Sequence, residues 1–324
     1  MPTLQIFHNN GPLNYMNMLK KIVLVLCFDL NYANQAAVAT YSAIKNSRTP
    51  IKIYWIVPGK DFAAIATVKD HLESLDFRIN LIRANDKAFI GWKVMEHINQ
   101  SSYLRLLIPD LIKEEKIIYI DSDTLVLEDL SEIWHSDMDE LPIGGVKDNP
   151  GAINLTKISW LAGDVYINAG VMVMNLRMLR RDRFLWKCQE IYQMFEEKIV
   201  FLDQCIINKY AENRKYILGK KWNFLVITEL ELESKFETIV SSDRPKIIHF
   251  AGGVKPWQKW CNPTIAAYWW GYAKELSLPG FHPTRIQNIN QALKFAAMLD
   301  RNSKFRESSK VKTTIINALL STKR

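Results

Sequence analysis

Short, continuous hydrophobic runs alternate with amphipathic stretches along the first 120 residues. The runs are as long as strands that are buried on both faces: IVLVLC at 22–27, IKIYWIV at 51–57, RINLIR at 78–83 and KIIYI at 116–120. The stretches between them have apolar residues at helical spacing: 35–46, 61–75 and 101–113. This alternation predicts an α/β fold with a parallel central sheet and helices on both of its faces.

A second set of elements follows. It contains the strands PIGGV (142–146), GVMVMNL (170–176) and PKIIHF (245–250) and helices near 177–197 and 203–212. The clearest boundary is SLPGFHPT at 277–284, where two prolines and a glycine interrupt the pattern. We therefore expect a catalytic domain over residues 1–276 and a basic, amphipathic helical tail over 277–324.

The tail combines apolar stripes with positive charge. The stripes are Ile286, Ile289, Leu293 and Ala296, then Val311, Ile315, Ala318 and Leu319. From Arg285 to Arg324 there are nine Lys and Arg residues against two acids, so most of the net charge of +8 lies here. This pattern predicts contact with an anionic membrane surface. The alternative is that the first stripe packs on the catalytic domain and the second on a partner subunit.

The composition narrows the class of protein. With 48% hydrophobic and 23% charged residues the chain is globular, and its nearly neutral body argues against a general nucleic-acid surface. IVLVLCF is too short to cross a membrane, and the four cysteines, which lack CxxC spacing, fit buried thiols in a reducing, cytosolic setting. The chain has neither a G-x-G-x-x-G after its first strand nor a P-loop, so dinucleotide and P-loop chemistry are not supported.

Two carboxylates directly follow the fourth predicted strand. In an extended chain Asp121 and Asp123 would share one face about 6–7 Å apart, close enough for one cation to contact both. The alternative is an ordinary strand end in water. Later, HFAGGVKPW (249–257) places a histidine, two glycines and a lysine after another apolar strand, and these suit a metal ion and a phosphate.

Six segments together resemble the family 8 retaining glycosyltransferases, which use nucleotide-sugar donors and include bacterial lipopolysaccharide galactosyl- and glucosyltransferases. The segments occur in the family's order over residues 22–260: FDLNY (28–32), SSYLRLLIPDLI (101–112), IIYIDSDTLVLEDLSEIW (117–134), YINAGVMVMNL (166–176), FLDQCIIN (201–208) and HFAGGVKPW (249–257). The resemblance implies the GT-A fold, a Rossmann-like, mostly parallel central sheet flanked by helices, here followed by the helical tail.

The resemblance also implies a cofactor site. Asp121, Asp123 and His249 would bind Mn²⁺ or Mg²⁺ at the donor diphosphate, and oxygen and imidazole ligands suit such ions. Lys255, beside Gly252, would neutralise charge on the same diphosphate.

Further roles follow from the resemblance. Tyr32 would stack on uracil while Asp29 and Asn31 contact the base edge or ribose. Arg105, Asp148 and Asn168 would face the donor phosphate and sugar, with Asp121 also binding the donor. Asp203 and Gln204 would lie near the reacting face.

Each role has a structural alternative. Asp29 and Asn31 suit a helix cap and Tyr32 suits packing, while Arg105 suits a plain ion pair with a carboxylate. The remaining alternatives are a helix N-terminus at Asp203 and Gln204 and a turn at Asp148.

The predicted reaction moves galactose or glucose from a UDP-sugar to an oligosaccharide or lipid-linked glycan, as in lipopolysaccharide core synthesis, at the inner face of the cytoplasmic membrane. Two alternatives remain open. DSDT at 121–124, with Gly163 and Asp164, suits a haloacid-dehalogenase-type phosphatase, although there the motif normally ends the first core strand. The second alternative is a non-catalytic relative that binds a nucleotide sugar without transferring it.

Overall fold

The structure is a computed structural model that describes residues 21–94, 100–138, 140–148, 156–161, 163–226 and 236–321. The first twenty residues of the predicted catalytic domain and the last three of the predicted tail lie outside these ranges. The strands are β1 (Ile22–Cys27), β2 (Ile51–Pro58), β3 (Ile79–Ala84), β4 (Lys116–Ile120), β5 (Thr124–Val126), β6 (Ile143–Lys147), β7 (Ile167–Asn175), β8 (Lys215–Leu218), β9 (Phe224–Leu225) and β10 (Ile247–His249).

The helices lie between and after these strands. They are α1 (Ala33–Asn46), α2 (Phe62–Ser74), α3 (Ile108–Leu111), α4 (Ser131–Trp134), α5 (Leu176–Arg181), α6 (Phe184–Phe195), α7 (Leu202–Tyr210), α8 (Phe236–Asp243), α9 (Pro263–Glu275), α10 (Ile289–Arg301) and α11 (Phe305–Ser321). Short 3₁₀ segments occur at Leu30–Tyr32, Asp86–Phe89, Gln100–Leu107, Ser159–Leu161, Glu196–Lys198 and Lys220–Asn223.

A mixed, mostly parallel sheet runs through the centre of the described residues. Its strand order is β3-β2-β1-β4-β7-β6-β8. The first four strands pair in parallel, β1 with β2, β2 with β3 and β1 with β4. Strand β7 runs antiparallel to both β4 and β6, and β8 is parallel to β6. The α/β fold with a mostly parallel sheet is therefore confirmed.

Both faces of this sheet are covered, which explains the continuous hydrophobic strands. Alternate residues of β1 face different cores: Ile22, Leu24 and Leu26 join α1, α2 and α9, whereas Val23, Val25 and Cys27 join α3 and α5 to α7. All six β1 residues are buried. A strand buried on both faces has no polar side, and so it cannot show the period-two pattern of a half-exposed strand.

A smaller sheet, ordered β5-β10-β9, packs on the first of these cores. Strand β10 is antiparallel to β5, where His249 pairs with Thr124, and parallel to β9, where His249 pairs with Leu225. This pairing brings His249 next to the segment that joins β4 to β5.

Two predicted helices differ from the structure. The helix near 177–197 is divided into α5 and α6 because Arg183 adopts a left-handed conformation with φ of 56°. The helix at 101–113 is a 3₁₀ segment that passes into the single turn α3, whose second residue is Pro109. A proline at that position lacks the N–H that the preceding turn would need, which favours the break.

The tail forms a helical hairpin. In it α10 and α11 pack on each other, Ser308 Oγ donates to the carbonyl of Ala296 at 3.1 Å, and Lys312 pairs with Asp300 at 2.7 Å. The link to the preceding unit includes Thr284, whose N–H donates to the carbonyl of Trp257 at 2.8 Å. The domain boundary at residue 276 stays a prediction. No helix among the described residues is long and apolar enough to cross a bilayer.

Candidate active site

The two predicted metal-binding carboxylates lie on a turn beyond the carboxyl end of β4. The chain does not continue extended through them: residues 122 and 123 form a turn that carries it from the large sheet into β5 of the small one. The N–H of Asp121 donates to the carbonyl of Gly170 at 2.8 Å, and Thr124 Oγ1 donates to the carbonyl of Asp121 at 2.8 Å. The expectation of an extended DSD segment is therefore wrong, and a turn brings the two carboxylates together instead.

His249 completes a compact cluster with these acids. Its Nε2 lies 3.2 Å from Asp123 Oδ1 and 3.8 Å from Asp121 Oδ2. One ligand atom from each of the three residues lies within 4.8 Å of the others. Gly170 borders the cluster. A Cβ atom at this position would lie only 2.2 Å from Cε1 of His249, so any residue larger than glycine would collide with the imidazole.

The remaining bonds of Asp121 show how this cluster suits a cation. Its Oδ1 accepts from Tyr119 Oη at 2.6 Å and from Arg105 Nη2 at 2.9 Å, so Oδ2 is the oxygen that faces His249. Two carboxylates and one imidazole form a donor set for a divalent ion, and the hydrogen bonds from Tyr119 and Arg105 hold the Asp121 carboxylate in place. Asp121, Asp123 and His249 could therefore hold such an ion.

Lys255 lies against the same cluster. Its Nζ donates to Asp123 Oδ2 at 2.7 Å and to the carbonyl of Phe250 at 2.6 Å. Burial alone would raise the pKa of Asp123, but the positive charge of Lys255 and the contact with His249 outweigh it and hold the pKa below its usual value. The carboxylate is therefore ionised and available as a ligand. Gly252 is buried in the same loop, and its N–H donates to the carbonyl of Val226 at 3.0 Å.

Arg105 is buried behind the cluster and connects two acids. It donates through Nη2 to Asp121, its Nε lies 3.0 Å from Asp203 Oδ2, and its Nη1 donates to the carbonyl of Ala169 at 2.7 Å. Its guanidinium also lies over the ring of Tyr119 at 4.7 Å. Burial alone would lower the pKa of Arg105, but the charges of Asp121 and Asp203 outweigh this and raise it. In this structure Arg105 makes the carboxylate pairs that the sequence offered as its alternative role.

A second polar network lies beside the first. Asp148 Oδ2 accepts from Asn168 Nδ2 at 3.2 Å and from Gln204 Nε2 at 3.0 Å. Gln204 Oε1 accepts from the N–H of Ala169 at 2.9 Å, and its Nε2 also lies 3.3 Å from Tyr166 Oη. Gln204 and Asp203 are the third and second residues of α7, so Gln204 faces the amide network while Asp203 faces Arg105.

The predicted nucleotide-binding residues lie at the end of β1. Asp29 caps the 3₁₀ segment by accepting from the N–H of Asn31 at 3.0 Å, which is the capping role that the sequence left open. Tyr32 is half-buried with its ring edge-on to Trp257 at 5.8 Å. Burial, followed by the negative charges of Asp123, Asp29 and Asp121, raises the pKa of Tyr32.

The structure therefore brings most predicted residues into two linked networks. The cluster of Asp121, Asp123 and His249 includes Lys255, Arg105 and Asp203, and the amide network contains Asp148, Asn168 and Gln204. Sequence reasoning missed Tyr119, Gly170 and Asn223. Tyr119 lies on β4 two residues before Asp121, which directly follows that strand, and this spacing could have identified it; Asn223 has no comparable local signal.

Comparison with known proteins identifies related sequences. The sequence profile of glycosyl transferase family 8 matches residues 23–261. General stress protein A of Bacillus subtilis is 27% identical over 72% of this chain and 86% of its own length. Glycosyltransferase GlyA of Streptococcus pneumoniae is 25% identical over 78% of this chain, but the chain spans only 35% of that protein.

Solved structures show the same architecture. The galactosyltransferase LgtC, in complex with donor and acceptor sugar analogues, superposes with a TM-score of 0.68 at 24% identity, covering 84% of this chain and all of LgtC. The glycosyltransferase GlyE of Streptococcus pneumoniae gives a TM-score of 0.58 at 20% identity, covering 83% of this chain and 67% of GlyE. The likeness to LgtC confirms the GT-A fold that the sequence predicted.

Proposed function

The chain belongs to glycosyl transferase family 8, and on that premise we propose that it is a metal-dependent hexosyltransferase that moves galactose or glucose from a UDP-sugar to a glycan, with retention of anomeric configuration. The observation that carries this proposal is the cluster of Asp121, Asp123 and His249 with the Lys255 ammonium against it. A cation site and a fixed positive charge at the carboxyl end of a central strand suit the diphosphate of a nucleotide sugar.

The family assignment replaces the phosphatase hypothesis. It accounts for DSDT and HFAGGVKPW together, whereas the phosphatase hypothesis used only the first. DSDT also follows the fourth of the described strands rather than the first.

Asp121, Asp123 and His249 would hold the ion, Mn²⁺ or Mg²⁺, within this donor set. Bound there, the ion would stabilise the negative charge that develops on the departing diphosphate. Lys255 and the backbone N–H groups of Gly253 and Val254, which follow Gly252 in the loop, would bind the same diphosphate, while the N–H of Gly252 itself is bonded to the carbonyl of Val226. Because Lys255 already contacts Asp123, phosphate oxygens would have to replace a carboxylate as its partner.

The nucleotide would bind beside the end of β1. Tyr32 offers an aromatic face next to Trp257, and Asp29 and Asn31 offer polar groups for the uracil edge or the ribose. Asp29 also caps its own 3₁₀ segment, so its position is fixed before a ligand arrives. A preformed site reduces the entropy lost on binding.

The sugar would face Asp148, Asn168 and Gln204, with Arg105 and Asp203 behind it. Asp203 is only 4% exposed and pairs with Arg105, which makes it a poor nucleophile. Gln204 has an amide in place of a carboxylate, and its oxygen is already bonded to the N–H of Ala169. These contacts favour attack on the same face, in which the departing phosphate takes the acceptor proton, over a covalent glycosyl intermediate.

The acceptor would be an oligosaccharide or lipid-linked glycan at the inner face of the cytoplasmic membrane, with lipopolysaccharide core as one candidate. LgtC, which has the same fold, binds donor and acceptor sugar analogues in its solved complex. In this chain the tail hairpin has exposed apolar residues among exposed lysines and arginines. Such a surface suits an anionic bilayer. The exposed apolar residues are Ile289, Leu293, Phe305, Ile316 and Leu319.

The decisive experiment is a screen of UDP release from UDP-galactose and UDP-glucose, with Mn²⁺, with Mg²⁺ and with EDTA. We expect one donor to be used and EDTA to abolish turnover, and NMR of the product should show a retained anomer. Asp123→Ala should lower turnover by at least about a hundredfold, the scale of losing one major electrostatic element. Asp70→Ala is the matched control, since the Asp70 side chain is 70% exposed on α2.

Each negative result of this screen would contradict a different part of the proposal. Full turnover in EDTA would remove the metal from the proposal, and an inverted product would remove the retaining mechanism. UDP binding without turnover of either donor would favour a non-catalytic nucleotide-sugar-binding protein.

A further inference from the structure

Asn223 lies directly behind His249 and has no role in the function proposed above. It ends the 3₁₀ segment Lys220–Asn223, and only 2% of it is exposed. Its side chain contacts Nδ1 of His249 at 2.9 Å and Oδ1 of Asn168 at 2.8 Å. Asn223 therefore joins the cluster of Asp121, Asp123 and His249 to the amide network of Asp148, Asn168 and Gln204.

The hydrogen bonds around Asn168 determine which way its amide points. The backbone N–H of Gly170 lies 2.9 Å from one end of this amide, and since a backbone N–H can only donate, that end is the oxygen. The other end lies 3.2 Å from Asp148 Oδ2, and an ionised carboxylate can only accept, so that end is the NH₂ group. Two independent partners thus give the same orientation.

The orientation of Asn168 then determines that of Asn223. The atom of Asn223 that faces the Asn168 oxygen must be its NH₂ group, because two oxygens cannot share a hydrogen bond without a proton. The remaining atom, which faces His249, is then the amide oxygen. An amide oxygen can only accept, so Nδ1 of His249 must carry a proton.

We infer that Asn223 is a positioning residue that fixes His249 as the Nδ1–H tautomer, so that the Nε2 lone pair is directed at the two carboxylates. The backbone N–H of Gly170 sets this state through two successive side-chain amides. Nε2 faces Asp123 Oδ1 at 3.2 Å and Asp121 Oδ2 at 3.8 Å, where a bound cation would meet all three ligands. A histidine that binds a metal through Nε2 needs a partner of this kind for its other nitrogen.

The tautomer itself does not depend on the proposed function; only the use of Nε2 as a ligand rests on it. The competing explanation is that Asn223 merely fills buried space. In that case the ring would be free to place its proton on Nε2, where Asp123 Oδ1 at 3.2 Å would accept it. The two explanations therefore differ in an observable property of one imidazole.

The test uses the full chain labelled with ¹⁵N-histidine, without metal, at about pH 9, where an ordinary imidazole is neutral. Long-range ¹H–¹⁵N correlation spectra distinguish the two tautomers, and a His249→Gln variant assigns the signal. We expect Nδ1–H in the parent protein. In Asn223→Leu, which is similar in size but cannot accept, we expect the proton to move wholly or partly to Nε2.

Metal affinity is the second readout. Titration with Mn²⁺ alone, followed by electron paramagnetic resonance, should show weakening of about 10- to 100-fold in Asn223→Leu, the scale for losing such a partner. Asn223→Asp keeps an acceptor for Nδ1–H and should recover part of that affinity. The matched control is Asn208→Leu: Asn208 is also 2% exposed, but its amide bonds the backbone of Ile167, so His249 should not respond.

The outcomes are separable. An Nε2–H signal assigned to His249 in the parent protein overturns the inference, whether or not the Asn223 variants fold. The same tautomer and the same Mn²⁺ affinity in parent and Asn223→Leu also overturn it. If the tautomer changes as expected but the parent protein binds neither Mn²⁺ nor Mg²⁺, the inference stands and the proposed metal site fails.

Discussion

Nζ of Lys255 lies 2.7 Å from Oδ2 of Asp123, so the positive charge that would bind a donor diphosphate is paired with a carboxylate that would bind a metal ion. The side chains of both residues are only 13% exposed, which makes this ion pair stronger than a surface pair. The ammonium and a cation therefore compete for one carboxylate until phosphate oxygens take over the lysine.

Lys255→Met should consequently have opposite effects on the two ligands. Without nucleotide, Mn²⁺ should bind several-fold more tightly, because Asp123 no longer has a competing cation. UDP should bind about 10- to 100-fold more weakly, the loss of one charge-assisted hydrogen bond. Calorimetry with UDP and paramagnetic titration with Mn²⁺ measure the two effects.

Two further variants complete this test. Lys255→Arg should recover UDP binding only partly because a planar fork replaces a compact charge. Lys259→Met is the control, since Lys259 is exposed on the following turn. Unchanged UDP affinity in Lys255→Met would remove this lysine from the diphosphate site.

Gly170→Ala should destroy the cluster while leaving the fold intact. The new Cβ would lie 2.2 Å from Cε1 and 2.6 Å from Nδ1 of His249, and 2.9 Å from Asp121 Oδ2. We expect Mn²⁺ binding to be lost and turnover to fall at least about a hundredfold.

Gly145→Ala is the matched control on the neighbouring strand. There the added Cβ would lie 2.7 Å from Cδ1 and 3.2 Å from Cβ of Ile167, so the end of that side chain must turn away, but the three nearest atoms all belong to Ile167 and none to His249. Circular dichroism checks folding of both variants. Equal activity of Gly170→Ala and Gly145→Ala would contradict the tight packing around His249.

Asp164 should make stability depend on pH. Burial alone would raise its pKa, but hydrogen bonds from Lys215 Nζ and from the N–H groups of Asn213 and Val165 outweigh this and hold the pKa below its usual value. A lowered pKa in the folded state adds stability above the unfolded pKa of about 3.9, and this stability disappears as the pH falls through the folded pKa.

Asp164→Asn should therefore lower the free energy of unfolding at pH 7 by about 1.5–3 kcal/mol, the scale of hydrogen bonds to a charged group. The difference from the parent protein should shrink below about pH 4. Urea unfolding from pH 7 to pH 3 measures it, with Asp70→Asn as the exposed control. A difference that is constant over this range would show that the charge of Asp164 does not contribute.

Removal of the tail should separate membrane binding from donor chemistry. Truncation after Gln287 removes α10 and α11 but keeps Thr284, which bonds the carbonyl of Trp257. The truncated protein should no longer sediment with anionic vesicles, because each basic residue near such a surface contributes about 1 kcal/mol. UDP release to water should persist.

Added salt and neutral vesicles test the same prediction from the lipid side. Both should release the full chain, because screening weakens charge attraction at the bilayer. If the truncated and full chains sediment equally, the hairpin is not the membrane contact.

The sequence predicted seven of the ten described strands, because most of these seven are continuous apolar runs and burial on both faces is a property of such a run. It missed β5, β8 and β9, which are only two to four residues long. It did not predict that β7 runs antiparallel to β4, since strand direction depends on which partner the strand finds. The break at Arg183 was also missed. The segment RRDR contains neither Gly nor Pro, so nothing local marks a left-handed residue there.

The candidate site, like the fold, has features that the sequence predicted and features that it did not. Asp121, Asp123 and His249 were identified because a resemblance linked separate segments, whereas spacing alone gave the wrong geometry for the two acids. Asn223 was missed because its role depends on two residues from other strands, Asn168 and His249. A hydrogen-bond chain of this kind exists only after the sheets have assembled.

The pairing of β5 with β10 also bears on how the molecule folds. Strands β1, β2 and β3 pair through consecutive connections, and β4 joins β1 with Leu24 opposite Ile118, 94 positions later, but Thr124 meets His249 only after 125 positions. Contacts that close so long a loop form slowly, and a nascent chain emerges from its N-terminal end first. A chain stalled before β10 can therefore assemble its first four parallel strands and still present only two of the three ligands, so competence to bind a cation arrives with one of the last strands to be synthesised.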